Sequence, residues 1–176
     1  MIQQGTASQA NTPQSIQLLT FRLREELFAI PIRNVREVLK PSKITHIPAA
    51  PEFLKGVINV RGNVVPVVDL QIKFRMPATV LGKSSRVIIV ESRVGDKDLI
   101  LGALADSVDE VIDMETSQIE PPPPVGIDLE SRFIQGIGKR GEEFIILLEV
   151  GKVFSVEELL QTQQLGHLHQ PGTEQS

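Results

Sequence analysis

The chain has 176 residues and a formal net charge of −4, and its composition is 41% hydrophobic, 23% charged and 4% aromatic. That length suits one ordinary domain, or two very small ones packed together. With no cysteine there is no disulfide framework, thiolate nucleophile or Cys-ligated metal, and with three histidines, no Tyr and no Trp the supply of catalytic and base-stacking groups is poor.

Met1 to Gln14 has neither a basic start nor an apolar run, so it reads as a loose polar tail and not as a signal peptide. No segment approaches the roughly 20 apolar residues of a membrane helix. The expectation is a cytoplasmic protein with no direct membrane insertion. Ile16–Arg24 and Leu27–Ile30, parted by Glu25-Glu26, predict a β-hairpin. Pro31 to Leu39 places Ile32, Val35 and Leu39 at helical spacing behind an early proline, which predicts a short helix. Val57–Val60 and Val64–Leu70 flank Arg61-Gly62-Asn63, a second hairpin whose glycine can take a positive φ. Arg86–Ser92 and Leu99–Ala105 flank Gly95 to Asp98, a third hairpin. Asp106 to Ile112 reads as a helix capped by Asp106 or Ser107. Glu120 to Pro124 is a stiff polyproline connector. Gly136–Lys139 and Phe144–Val150 form the last hairpin, and Ser155 to Leu160 a closing helix. Residues 161–176 form a second polar tail.

Laying the chain on itself reveals an internal repeat. Phe53 matches Phe133, Gly56 matches Gly136, Asp69 matches Glu149 and Phe74 matches Phe154. Arg61-Gly62 matches Arg140-Gly141 after a one-residue slip in the turn, and Val35-Arg36-Glu37-Val38-Leu39 matches Val108-Asp109-Glu110-Val111-Ile112. About five short strands per half predict a mainly β protein of two small barrels with a few short helices. The organised region spans residues 15–160, with a first barrel at about 16–80, a second at about 85–154 and the helix over 155–160. The runs Val64-Val65-Pro66-Val67-Val68 and Phe144 to Leu148 do not alternate, which predicts burial on both strand faces and an apolar surface shared between the barrels. Pro66 cannot donate to a ladder, so its strand is expected at an edge or at a bulge.

Charge divides unevenly. Residues 16–80 hold ten Lys/Arg against five Asp/Glu, whereas residues 85–160 hold seven against sixteen. With scarce aromatics this does not resemble a nucleic-acid interface; it suits either two ordinary solvated surfaces or an adaptor docking different partners at different ends. Asn59 and Arg61 lie on one strand face leading into a tight turn, where a presented guanidinium can fork onto a partner's carboxylate or carbonyls. Asp69 and Glu149 sit at equivalent strand ends, a pattern that reads as structural before it reads as an acid–base pair. His167 and His169 in a polar tail make a weak metal site at most. Neither Gly56 nor Gly62 opens a helix, so no phosphate loop is present. The rivals to an adaptor are a carboxylate-based enzyme and a nucleic-acid-binding double barrel.

The ordered set Val35-Arg-Glu37-Val, Pro48-Ala-Ala-Pro-Glu-Phe53, Gly56-Val-Ile-Asn-Val-Arg-Gly62, Pro66-Val-Val-Asp69, Val108-Asp-Glu-Val111, Ile119-Glu-Pro121 and Gly136 resembles the CheW family of bacterial chemotaxis coupling proteins. The resemblance runs from about Ile16 to Leu160. It implies two SH3-like five-stranded β-barrels sharing a hydrophobic interface, no enzymatic activity and no cofactor. It also implies two partners, the cytoplasmic tip of chemoreceptors and the regulatory domain of the chemotaxis histidine kinase. The receptor tip is expected in the groove between barrels and the kinase on barrel surfaces. Carried over by motif, the partner-binding positions are Val35, Glu37, Gly56, Asn59, Arg61 and Gly62, with Val108 and Val111 on the second repeat. Coupling proteins of gliding or pilus systems would carry the same motifs.

Overall fold

A computed structural model of the chain describes residues 14–94, 96–123 and 131–153. The expected tails, the helix over Ser155–Leu160, His167 and His169 lie outside the described residues. The strands are β1 (Ser15–Leu23), β2 (Glu26–Pro31), β3 (Val35–Leu39), β4 (Leu54–Val60) and β5 (Asn63–Asp69), followed by the one-turn helix α1 (Leu70–Lys73). Then come β6 (Arg86–Val94), β7 (Lys97–Ala105), β8 (Ser107–Glu115), β9 (Ile134–Arg140) and β10 (Glu143–Leu148), and the one-turn helix α2 (Val150–Val153). They form two five-stranded sheets, ordered β8-β1-β2-β10-β9 and β3-β6-β7-β5-β4.

The repeat predicted from sequence is present hydrogen bond by hydrogen bond. Asp69 N donates to Phe53 O at 2.7 Å, and Glu149 N donates to Phe133 O at 2.8 Å. Thr45 exchanges both backbone bonds with Val57, as Glu120 does with Ile137. The single parallel pairing of each sheet, β5 with β7 and β10 with β2, also repeats.

The barrels are not divided at residue 80, however. The β1–β2 hairpin pairs with β8 and β10, while the first-half strands β3, β4 and β5 join the hairpin β6–β7. After β1–β2 and again after β6–β7 the chain crosses to the other sheet, so the two sequence repeats exchange hairpins. A linear repeat records which segments are alike, and it does not record which copy each one pairs with.

Both predicted core helices are strands. Only Ile32–Asn34 forms a 3₁₀ turn, and Val35–Leu39 then pairs with β6. Ser107–Glu115 pairs with β1 along nearly its whole length. The reason is shared. On β3 the register shifts between Val35 and Glu37, and on β8 two residues, Asp109 and Glu110, stand where β1 has only Thr20. A bulge adds one residue and re-aims the strand. Apolar residues then fall three apart, imitating a helical face in Val35/Val38 and Val108/Val111. Their β-branched side chains suit the strand.

Pro66 occupies an inner strand, not an edge. Counting from the two-residue turn, it falls in a non-hydrogen-bonded pair with Val57, and pairing with β7 begins only at Val67. No ladder donor is lost.

Three apolar clusters result. Leu18, Leu27, Ala29, Met114, Ile145 and Leu147 fill the first sheet's own interior. Ile58, Val65, Val67, Val87, Ile89 and Leu104 fill that of the second. The largest cluster lies between the sheets, and rings from Phe21, Phe28, Phe74 and Phe133 run through it with centroids 6.0, 5.9 and 5.8 Å apart in succession. Val67 serves its own barrel while Val68 serves the shared core, and Leu147 and Leu148 do likewise. That is the physical meaning of the non-alternating runs. Neither run is wholly buried, since Val64 and Phe144 at their outer ends are exposed.

Candidate functional site

The β4–β5 turn is built by its own residues. Arg61 and Gly62 both take positive φ, 52° and 87°, the two-residue geometry that matches strand twist. Asn59 Oδ1 accepts from Gly62 N at 2.7 Å and locks the turn from below. Arg61, a residue that rarely adopts this region, is held by a bidentate pair with Glu37. Its Nη2 donates to Oε1 at 2.7 Å, and its Nη1 donates to Oε2. The guanidinium side chain is nevertheless 73% exposed. Its hydrogen bond holds the Glu37 carboxyl below the usual carboxylate range, while Glu37 raises the Arg61 guanidinium.

Glu37 stands on edge strand β3, and Arg61 directly follows the opposite edge strand, β4. The pair therefore joins the two edges and rolls the sheet into a barrel, with help from the Thr45–Val57 bridge. The bulge places Val35 against the shared core and leaves Glu37 on the same strand face as Leu39, which packs on the barrel's own core. Glu37 and Arg61 thus lie at the mouth of the barrel.

The structure brings together Glu37, Asn59, Arg61 and Gly62. It sets the other expected positions apart. Gly56 has φ 152°, and a Cβ there would sit 2.2 Å from Thr45 O, so close backbone approach explains this glycine. Val35 and Val108 are equivalent residues half-buried against the shared core. Val111 is exposed on β8, in the other barrel.

A second mouth, at the first sheet, was legible only through the repeat. Arg140 Nη1 donates to Glu110 Oε1 at 2.9 Å, repeating Arg61 with Glu37. Arg22 on β1 binds Glu143 on β10 through two bonds, the longer at 3.0 Å, and stands 3.6 Å from Asp109. Glu143 is held below the usual carboxylate range by the Arg22 hydrogen bond. The matches of Arg61 with Arg140 and of Glu37 with Glu110 were the signal for these contacts.

The carboxylates elsewhere are engaged in structure. Asp69 is fully buried, and its oxygens accept from Gln71 N at 3.0 Å, Thr79 N at 3.0 Å and Thr79 Oγ1 at 2.8 Å. An open cleft at the crossing of the sheets is lined by Arg24, Glu25, Gln71, Lys83 and Asp106 among others. Asp106 there accepts from Arg24 N at 2.7 Å and Gln71 Nε2 at 2.9 Å. Among the described residues no group of His, Cys, Asp or Glu could hold a metal ion, and no helix is long and apolar enough to cross a membrane.

Comparison with known proteins agrees with this architecture. Residues 17–158 match the CheW-like domain family. The chain is 31% identical over 153 residues to chemotaxis protein CheW of Klebsiella aerogenes, covering 87% of this chain and 90% of the relative. It is 31% identical over 146 residues to protein PilI of Pseudomonas aeruginosa, covering 81% and 78%. The crystal structure of the scaffolding protein TtCheW from Thermoanaerobacter tengcongensis superposes with a TM-score of 0.72 at 38% identity, covering 84% of this chain and 93% of that one.

Proposed function

The chain belongs to the CheW-like domain family, and from that premise we propose that it bridges the cytoplasmic tip of chemoreceptors and the regulatory domain of the chemotaxis histidine kinase. It is a non-enzymatic scaffold of CheW type in chemotaxis signalling, and its two five-stranded sheets are the two SH3-like barrels of that fold. The observation that carries the bridging reading is the barrel mouth where Asn59, Gly62 and Glu37 hold an exposed Arg61 in one orientation. A guanidinium already oriented loses little freedom on binding.

In this reading Glu37, Asn59, Arg61 and Gly62 make or shape the contact. Val35 and Gly56 fix the strands behind it, Val108 does the work of Val35 on the other barrel, and Val111 stands exposed beside that barrel's mouth. The rigid double barrel holds both partners in fixed relation. A receptor state that favours one arrangement therefore biases the kinase equilibrium by its differential affinity. An affinity near 1 μM, about 8 kcal/mol, is enough to assemble and still exchange, and joined contacts in an array multiply it. The protein works in the cytoplasm and reaches the membrane through its partners.

The test is reconstitution. The chain, receptor-bearing membranes and the kinase of the same organism are combined, and kinase autophosphorylation is measured with and without the chain. Receptor-dependent phosphorylation that needs the chain is expected, and control that is equally strong without it refutes the reading. Similarity to PilI favours one second reading, the same coupling in a gliding or pilus pathway. Repeating the assay with that pathway's receptor and kinase distinguishes the two.

A further inference from the structure

The two barrel mouths follow one plan and differ in sign at one position. Arg36 and Asp109 are equivalent. Each follows the valine that packs on the shared core and precedes the glutamate that binds a turn arginine. Arg36 Nη1 lies 3.6 Å from Glu91 on β6. Asp109 lies 3.6 Å from Arg22, the β1 residue equivalent to Glu91. The same cross-strand contact is therefore made twice with its charges exchanged.

The exchange leaves the mouths unequal. At the second sheet Arg36 and Arg61 face Glu37 and Glu91 in balance. At the first sheet Arg22 and Arg140 face Asp109, Glu110 and Glu143, and Asp109 is shared between both guanidinium groups at 3.6 Å each. Among these ion-paired groups one carboxylate is in excess. Beside this mouth Val111 and Phe144 follow Glu110 and Glu143 on their strands and are 49% and 64% exposed. Phe144 is the one exposed phenylalanine among the described residues. Lys139, paired with Phe144 across β9 and β10, has its Nζ 6.0 Å from the Phe144 ring centre. Apolar side chains left in water beside a cluster of carboxylates and cations are the composition of a protein-docking patch.

We propose that the mouth of the first sheet docks a protein face presenting a lysine or arginine beside an apolar side chain, and that Asp109 is the residue by which that partner distinguishes it from the otherwise equivalent mouth at Arg36. The cation meets the excess carboxylate and the apolar group covers Phe144 or Val111. At the other mouth the same cation would meet Arg36. Like charge at one position then suppresses the wrong docking, while the shared plan keeps the shape. The excess carboxylate also disfavours a nucleic acid or an anionic lipid surface. The inference rests on the scaffold reading above, because it takes barrel surfaces to be protein-binding.

The absence of cysteine makes the test direct. Val111→Cys and its equivalent Val38→Cys are each labelled with a photo-cross-linker. Each is then irradiated with the kinase regulatory domain and, separately, with a receptor-tip fragment of the same organism. Cross-linked peptides are identified by mass spectrometry. Val111→Cys is expected to capture a segment containing a lysine or arginine from one of the two. Adding Asp109→Arg should lower that yield about fivefold or more, and the yield at Val38→Cys should stay unchanged. Asp109→Asn, which sets no cation beside Arg22 and Arg140, should lower it in the same direction by less. Unaltered yield with both Asp109 variants, or no capture at Val111→Cys from partners that bind the unlabelled chain, overturns the inference alone. Failure of the unlabelled chain to bind either partner overturns the coupling reading and this inference together.

Discussion

Gly56→Ala separates geometry from contact at a position where the two are easily confused. Gly56 has φ 152°, which strains an L-residue, and a Cβ there meets Thr45 O at 2.2 Å and Ile44 Cγ2 at 2.8 Å. The backbone oxygen cannot swing aside as a side chain would, because Thr45 is bonded to Val57 in both directions. Strained φ costs about 1–3 kcal/mol and overpacking about 1–3 kcal/mol. A loss of about 3 kcal/mol is expected, or a fall in Tm of roughly 6–12 °C for a chain of this size. Two controls are expected to lose less. Gly62→Ala meets nothing within 4 Å, so only its φ of 87° counts, at about 1 kcal/mol. Gly136→Ala meets Ile119 Cγ2 at 2.3 Å, a side chain able to turn, and Glu120 O only at 3.0 Å, so an intermediate loss of about 1–2 kcal/mol is expected. Urea unfolding followed by far-ultraviolet circular dichroism measures all three. Equal losses at Gly56 and Gly62, or a Gly56→Ala midpoint within error of the parent, would refute this account of the Thr45 approach.

Arg61→Glu should replace the pair with Glu37 by like-charge repulsion, lower the urea midpoint at pH 7 at least as far as Glu37→Gln does while leaving the fold intact, and weaken binding of the kinase regulatory domain or the receptor tip; wild-type affinity for both, read by titration calorimetry, removes Arg61 from the site. The Glu37 carboxyl has a folded-state pKa below its ordinary value of 4.5, so its contribution is fully present above that value and disappears as pH falls through the folded-state value. Glu37→Gln should therefore lower the urea midpoint at pH 7 and converge on the parent in strong acid; a gap that widens on acidification has the opposite sign and contradicts the pairing. Asp69→Ala leaves Thr79 N, Thr79 Oγ1 and Gln71 N without their acceptor in a buried site and should cost about 2–4 kcal/mol, whereas a midpoint within 0.5 kcal/mol of the parent would show that Asp69 is not the anchor of the 77–85 connection.

Much of this architecture can be read along the chain because it depends on local chemistry. Arg61-Gly62 encodes a two-residue turn, and the runs around Val67 and Leu147 encode strands with both faces covered. The repeat of Phe53, Gly56 and Asp69 at Phe133, Gly136 and Glu149 encodes two like barrels. The family motif then points to Glu37, Asn59, Arg61 and Gly62, which the fold does assemble at one barrel mouth. Pairing between distant segments is a different matter. The bulges at Arg36 and Asp109–Glu110 shift the apolar period from two to three, so the edge strands β3 and β8 imitate helices until β6 and β1 lie beside them. The exchange of hairpins, the closing of each barrel by an ion pair and the opposed charges of Arg36 and Asp109 across equivalent contacts exist only in three dimensions. Side-chain period records which face a residue shows, whereas strand partnership is set by which covered faces the whole chain can bring together.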